Sequence, residues 1–118
     1  MVVGGRLTAM AEEYRLRFVL IEGDDGWSAQ CLEHDIATQA ATLSELYHQI
    51  ERTLAGHLQI SAHTGSTPFA ELPRAPKKFW DMFRRSHLKL EPPRRMKIKT
   101  KNRLKAVAPP ELRVAELV

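Results

Sequence analysis

Seven cations fall within twelve residues at Arg94, Arg95, Lys97, Lys99, Lys101, Arg103 and Lys105. Such density attracts phosphate, because contact with a polyanion releases its condensed counterions. Lys97, Lys99 and Lys101 alternate with Ile98 and Thr100, so an extended backbone would present one cationic face. These seven are the candidate nucleic-acid-binding residues. A solubilising tail, docking on an acidic protein, and masking by the chain's own acidic half are the competing readings. The segment has no aromatics on which bases could stack, which argues against sequence-specific single-strand recognition.

The acidic residues offer a second chemistry. Glu22, Asp24, Asp25, Glu33, Asp35 and Glu51 invite a metal-dependent nuclease reading, which needs carboxylates converging on ions about 4 Å apart. Asp24 and Asp25 fall in a turn, whereas Glu33 and Asp35 fall beyond the following strand, about 20 Å away at about 3.3 Å per residue. Glu51 lies off the apolar stripe of its helix. Convergence is not expected. The histidines His34, His48, His57, His63 and His87 form no paired ligand motif. His57 sits on an apolar stripe and reads as a core or interface residue. His34, between two carboxylates, lacks a nucleophile or oxyanion donor to work with. No Gly-x-Ser-x-Gly or phosphate-binding glycine loop is present. The expectation is a non-enzyme with no catalytic residues, no metal and no cofactor.

The charges are partitioned along the chain. Residues 1–73 hold four lysines and arginines against ten aspartates and glutamates, a balance of −6. Residues 74–105 hold thirteen against two, a balance of +11, and residues 106–118 hold one against two. The 118 residues, 43% of them apolar, suit one domain of ordinary size with a modest core. No run approaches the roughly 20 apolar residues of a membrane span. No signal peptide is expected, and Met10 is a second candidate start. The lone Cys31 excludes an intrachain disulfide framework. It reads as a small core residue in a protein of the reducing cytoplasm.

The elements follow from the spacing. Tyr14, Leu16, Phe18 and Leu20 share one face of a strand running to Ile21, with Arg15 and Arg17 on the other. Gly23-Asp24-Asp25-Gly26 marks a hairpin turn in which Asp-Gly supplies positive φ values. A second strand follows from Trp27 to about Glu33, with Trp27, Ala29 and Cys31 on one face. Ile36–Ala40 is a short third strand. Thr42-Leu43-Ser44-Glu45 has capping-box spacing and opens a helix. Leu43, Leu46, Tyr47, Ile50, Leu54, His57, Leu58 and Ser61 recur along it at helical period. Gly65 is its expected stop. Gly56 weakens that helix unless close packing against the sheet wants no side chain. Pro76 opens a second, short helix from Lys77 to about Arg85 with a heavy apolar load. His87–Leu90 adds a short strand, and a helical turn is expected after Pro109-Pro110.

Tyr14–Phe18, Asp25-Gly26-Trp27, Ala29-Gln30-Cys31, Thr38-Gln39 and Thr42-Leu43-Ser44-Glu45-Leu46 together resemble HicB-like proteins, the antitoxin half of a bacterial toxin–antitoxin class. The resemblance spans about residues 12–62. It implies a partial ribonuclease-H-like fold, oligomerisation, and neutralisation of a small RNA-cleaving toxin. Where that family often carries Pro-Gly-Cys between strands two and three, this chain has Glu33-His34-Asp35-Ile36. The expected fold class is thus α+β: a three-stranded antiparallel sheet packed by one helix, with a short C-terminal helix and a basic tail. Residues 1–11 form an N-terminal arm, 12–65 the β-β-β-α module, 66–93 a linker with a docked second helix, and 94–118 the basic tail. The expected partners are further copies of the chain and a small basic toxin protein. DNA or RNA on the tail is the alternative, and no membrane contact is expected.

Overall fold

The computed structural model describes residues 12–92, 105–107 and 110–116. Their order is β1 (Glu12–Tyr14), β2 (Arg17–Gly23), β3 (Gly26–Cys31), β4 (Ala37–Ala40), α1 (Leu43–Thr64), α2 (Lys77–Arg85), β5 (Leu88–Leu90), β6 (Lys105–Val107) and β7 (Glu111–Val114). The chain is α+β, with a mixed five-stranded sheet in the order β4-β3-β2-β7-β5. Among the described residues no helix is long and apolar enough to cross a membrane.

The expected antiparallel meander is present as β2-β3-β4, with Phe18 opposite Cys31 and Ala29 opposite Thr38. The sheet is larger than the three strands anticipated. β7 lies parallel to β2, pairing Arg17 with Glu111 and Leu20 with Val114, and β5 closes the far side antiparallel to β7. The expected helical turn at this position is therefore a strand. Glu111-Leu112-Arg113-Val114 alternates at period two: Leu112 is fully buried toward α1, while Glu111 and Arg113 pair with each other on the opposite face. Four residues are too few for sequence alone to separate that period from a helical turn. The open side of a central strand decides the matter, because β2 needs a second hydrogen-bonding neighbour.

The first strand is also interrupted. β1 pairs in parallel with β6, apart from the main sheet, with Tyr14 opposite Val107. Two residues then separate Tyr14 from Arg17, but three separate Val107 from Glu111. Pro110, which has no amide hydrogen to contribute, stands in the longer gap. The ladder resumes where the Glu111 amide donates to the Leu16 carbonyl at 3.0 Å.

Two helices cover the two faces of the sheet. Thr42 caps α1, its hydroxyl accepting from the Glu45 amide at 3.2 Å, and Gly65 ends the helix at φ 75°. Leu46, Ile50, Leu54 and Leu58 are buried against Phe18, Leu20, Ala29, Cys31 and Leu112. Each such side chain is worth about 1.5–3 kcal/mol relative to exposure. On the other face Trp80 and Phe83 of α2 close over Val19, Leu32 and Ala115. The linker between the helices is a packed strap. Phe69 is 5% exposed in the α1-side core despite a left-handed φ of 63°. That backbone costs of order 1 kcal/mol, which burial of the phenyl ring outweighs. The strap is tied down by the Ala75 amide to the Leu32 carbonyl at 3.0 Å and by the Asp35 amide to the Pro73 carbonyl at 2.6 Å.

Two glycines separate structural need from its absence. In the β2–β3 turn the positive φ falls on Gly26 alone, at 137°, and not on Asp25 as Asp-Gly suggested. A Cβ on Gly26 would lie 2.5 Å from the Ala40 carbonyl oxygen and 3.0 Å from Ala41 Cα, so β3 meets the end of β4 backbone to backbone. Gly56, in contrast, has no described atom beyond its own helical turn within 4 Å of its Cβ position, which removes close packing against the sheet as its reason. Gly26→Ala should destabilise by about 2 kcal/mol or more, while Gly56→Ala should stabilise by about 0.5–1 kcal/mol. Urea denaturation of both variants checks the opposite signs, and a stabilised Gly26→Ala would contradict the close approach.

Candidate binding surfaces

Of the seven cations predicted to bind nucleic acid, Arg94, Arg95, Lys97, Lys99, Lys101 and Arg103 lie outside the described residues. Lys105 begins β6, its backbone in register with Glu12. The acidic residues are held apart, as their spacing implied. Asp24 and Asp25 form the tip of the β2–β3 hairpin. At the opposite end of β3, Glu33 accepts from the Arg17 amide at 2.8 Å and pairs with its guanidinium. Asp35 accepts from the Gln30 side-chain amide at 2.8 Å. Among the described residues no three histidine, cysteine, aspartate or glutamate side chains are placed to hold a metal ion.

The hairpin tip borders a cleft of about 650 Å³. Trp27 and Ile21 form its apolar lining, Ser28 and Gln39 bring polar side chains, and Asp24 and Asp25 make an acidic rim. Ala40 and Ala41 complete it, so the cleft lies beside the end of β4. β4 is an outer strand of the sheet, and its second backbone edge has no strand partner among the described residues. An unpaired edge next to a cleft is the geometry by which another chain adds a strand and places side chains in a pocket.

His34 and His57 both meet the strap. The His34 ring stacks on Phe69 at 4.9 Å between centroids, and the His57 ring lies tilted at 5.9 Å. His34 Nδ1 is buried without a hydrogen-bond partner among the described residues. Stacking on Phe69 gives His34 a packing role, and His57 occupies the half-buried stripe position its spacing indicated.

A second surface lies on α2, whose apolar residues dominate its sequence pattern. Lys77, Lys78, Arg84 and Arg85 recur on its outer face, opposite Trp80 and Phe83, and all four are exposed. The charge pattern at i, i+1, i+7 and i+8 was the available signal. Asp81, the acid on that face, bridges Lys77 at 2.8 Å and Arg84 at 3.2 Å. Its hydrogen bond from Lys77 holds the carboxyl below the ordinary carboxylate range, so Asp81 is ionised at neutral pH and those pairs are lost only in acid. Beneath the helix, Arg17 lies 4.8 Å from the Trp80 ring and Arg113 lies 4.4 Å from Phe83, while the exposed Arg74 of the strap lies 4.2 Å from the Trp80 ring. Cation–π attraction of this kind contributes about 0.5–2 kcal/mol per contact, depending on exposure.

Cys31 is fully buried in the α1-side core. Burial pushes its thiol from 9.0 up to about 11, assisted by the Glu33 carboxylate and opposed by nearby backbone amides. A raised folded-state value stabilises the fold below the unfolded pKa and is lost as pH climbs through the folded one. Stability should therefore fall between pH 9 and about 11, and Cys31→Ala should flatten that decline. The native thiol should resist Ellman's reagent at neutral pH and react fully once urea unfolds the chain; prompt native labelling would contradict its burial.

Compared with known proteins, the chain matches no family model, and neither characterised proteins nor solved structures show significant similarity to it.

Proposed function

We propose that this chain is a non-catalytic, HicB-like binding protein of antitoxin type, which self-associates and caps a small basic protein such as an RNA-cleaving toxin. The observation carrying this reading is the open edge of β4 beside the acid-rimmed cleft. An edge strand offers backbone hydrogen bonds to a partner's strand, and the cleft offers room for an anchoring side chain. The balance of −6 over residues 1–73 steers a basic partner toward this half of the molecule. The separation of the acidic residues, with Glu33 and Asp35 already engaged, supports binding over hydrolysis. The β2-β3-β4 meander followed by α1 is the part of the fold that supports the arrangement the resemblance implies, whereas β7, β5 and α2 go beyond it.

Co-expression with a small basic protein encoded beside this gene tests the proposal. Stoichiometric co-purification is the expected result. Asp24→Lys combined with Asp25→Lys should weaken retention roughly tenfold at physiological salt, while surface changes of this kind move stability by only about 0.5 kcal/mol. Failure to retain the neighbouring protein at any salt concentration would refute the capping role.

A further inference from the structure

The outer face of α2 carries positive charge even at the end of the helix where it is least favourable. A helix N-terminus carries partial positive charge and is stabilised by acids in its first turn. α2 has none there: Pro76 provides no side-chain cap, and Lys77 and Lys78 occupy the first two positions. Arg84 and Arg85 in the last turn suit the dipole, Lys77 pairs with Asp81 at i,i+4 and the Lys78 ammonium lies 5.0 Å from the Phe79 ring, yet the face keeps a surplus of exposed positive charge that these contacts do not neutralise. Asp81 offsets one charge of the four. The row continues onto neighbouring elements. Arg74 approaches from the strap, stacked on Trp80, and Lys89 of β5 stands in register beside Arg113, which touches Phe83 of α2.

We infer that this face is a nucleic-acid phosphate-backbone site, formed by Lys77, Lys78, Arg84 and Arg85 with Arg74 and Lys89 at its flanks. It is distinct from the basic run at residues 94–105 and independent of the partner-capping role. Nine residues rising about 1.5 Å each make a row about 12 Å long, which spans roughly three to four nucleotides at about 3.4 Å apiece. The helix is convex and anchored, so it presents charge without having to fold on binding. A lipid surface fits less well. A membrane-bound helix must insert its apolar face, and Trp80 and Phe83 are committed to the sheet. With no aromatic side chain on the outer row, the contacts are to phosphate and carry no base sequence.

Fluorescence anisotropy of the full chain with labelled short DNA and RNA, single- and double-stranded, tests this across a salt series. The unaltered protein should bind at low salt. Lys77→Gln, Lys78→Gln, Arg84→Gln and Arg85→Gln together should weaken binding roughly tenfold or more and reduce the slope of log affinity against log salt by about 2 to 3. Asp81→Asn should do the reverse: releasing Lys77 and Arg84 should tighten binding and steepen the slope, a gain that misfolding cannot imitate. Absence of binding by the unaltered chain, or affinity indifferent to both the quadruple variant and Asp81→Asn, would overturn the assignment. So would binding to anionic phosphatidylserine vesicles without binding to any nucleic acid. Retention of the co-expressed protein partner by the quadruple variant keeps the two roles experimentally separate.

Discussion

The structure depends on the burial of β2 on both of its faces. Phe18 and Leu20 point into the α1-side core while Val19 points into the α2-side core, and all three are at most 1% exposed. A strand in that position must be paired along both edges and covered on both sides, since any unpaired backbone group there would be cut off from water. β3 satisfies one edge and β7 the other. α1 seals one face and α2 seals the second. The strap through Phe69 and Ala75 follows from the same requirement, because it carries the chain from one face to the other around the end of β3.

Charge is distributed over this scaffold by element. The hairpin tip and its cleft are acidic, and the outer row of α2 is basic. The sheet's α2 face handles its own cations differently. Arg17 and Arg113 each pair with a carboxylate, Glu33 or Glu111, and each lies over an aromatic ring of α2. Those guanidiniums are thus used internally, holding the short helix that would be marginal alone. Of the exposed lysines and arginines above them, Lys77 and Arg84 share the single carboxylate of Asp81, which leaves the row with a surplus of positive charge. A single small chain thereby keeps two surfaces of opposite sign apart.

Much of the meander and both helices was legible in the residues. Alternation placed Trp27, Ala29 and Cys31 on the α1 side, and Thr42, Gly65 and Pro76 marked helix boundaries because their chemistry is local. What escaped was long-range. β7 is four residues whose pattern is ambiguous until β2 is seen to lack a neighbour. A clue did exist: Phe18-Val19-Leu20-Ile21 is a continuous apolar run, which signals burial on two faces, whereas the alternation of Tyr14, Leu16, Phe18 and Leu20 suggested one. For the candidate sites, the density of cations drew attention to residues 94–105, while the cations of α2 were hidden by interleaved aromatics. The β4 edge and the cleft depend on which strand ends the sheet, and no local pattern reports that.

The position of β7 also has a consequence for how the molecule is made. Arg17 waits for Glu111, so the middle of the sheet is completed by nearly the last described segment of the chain. Until that segment leaves the ribosome, β2 exposes a row of unpaired backbone N–H and C=O groups along one edge, and β5 has no neighbour to join. Closing so distant a contact is entropically slow. The nascent meander therefore keeps one unpaired strand edge until its own C-terminal segment arrives, which makes pairing of β7 the closing step of sheet assembly.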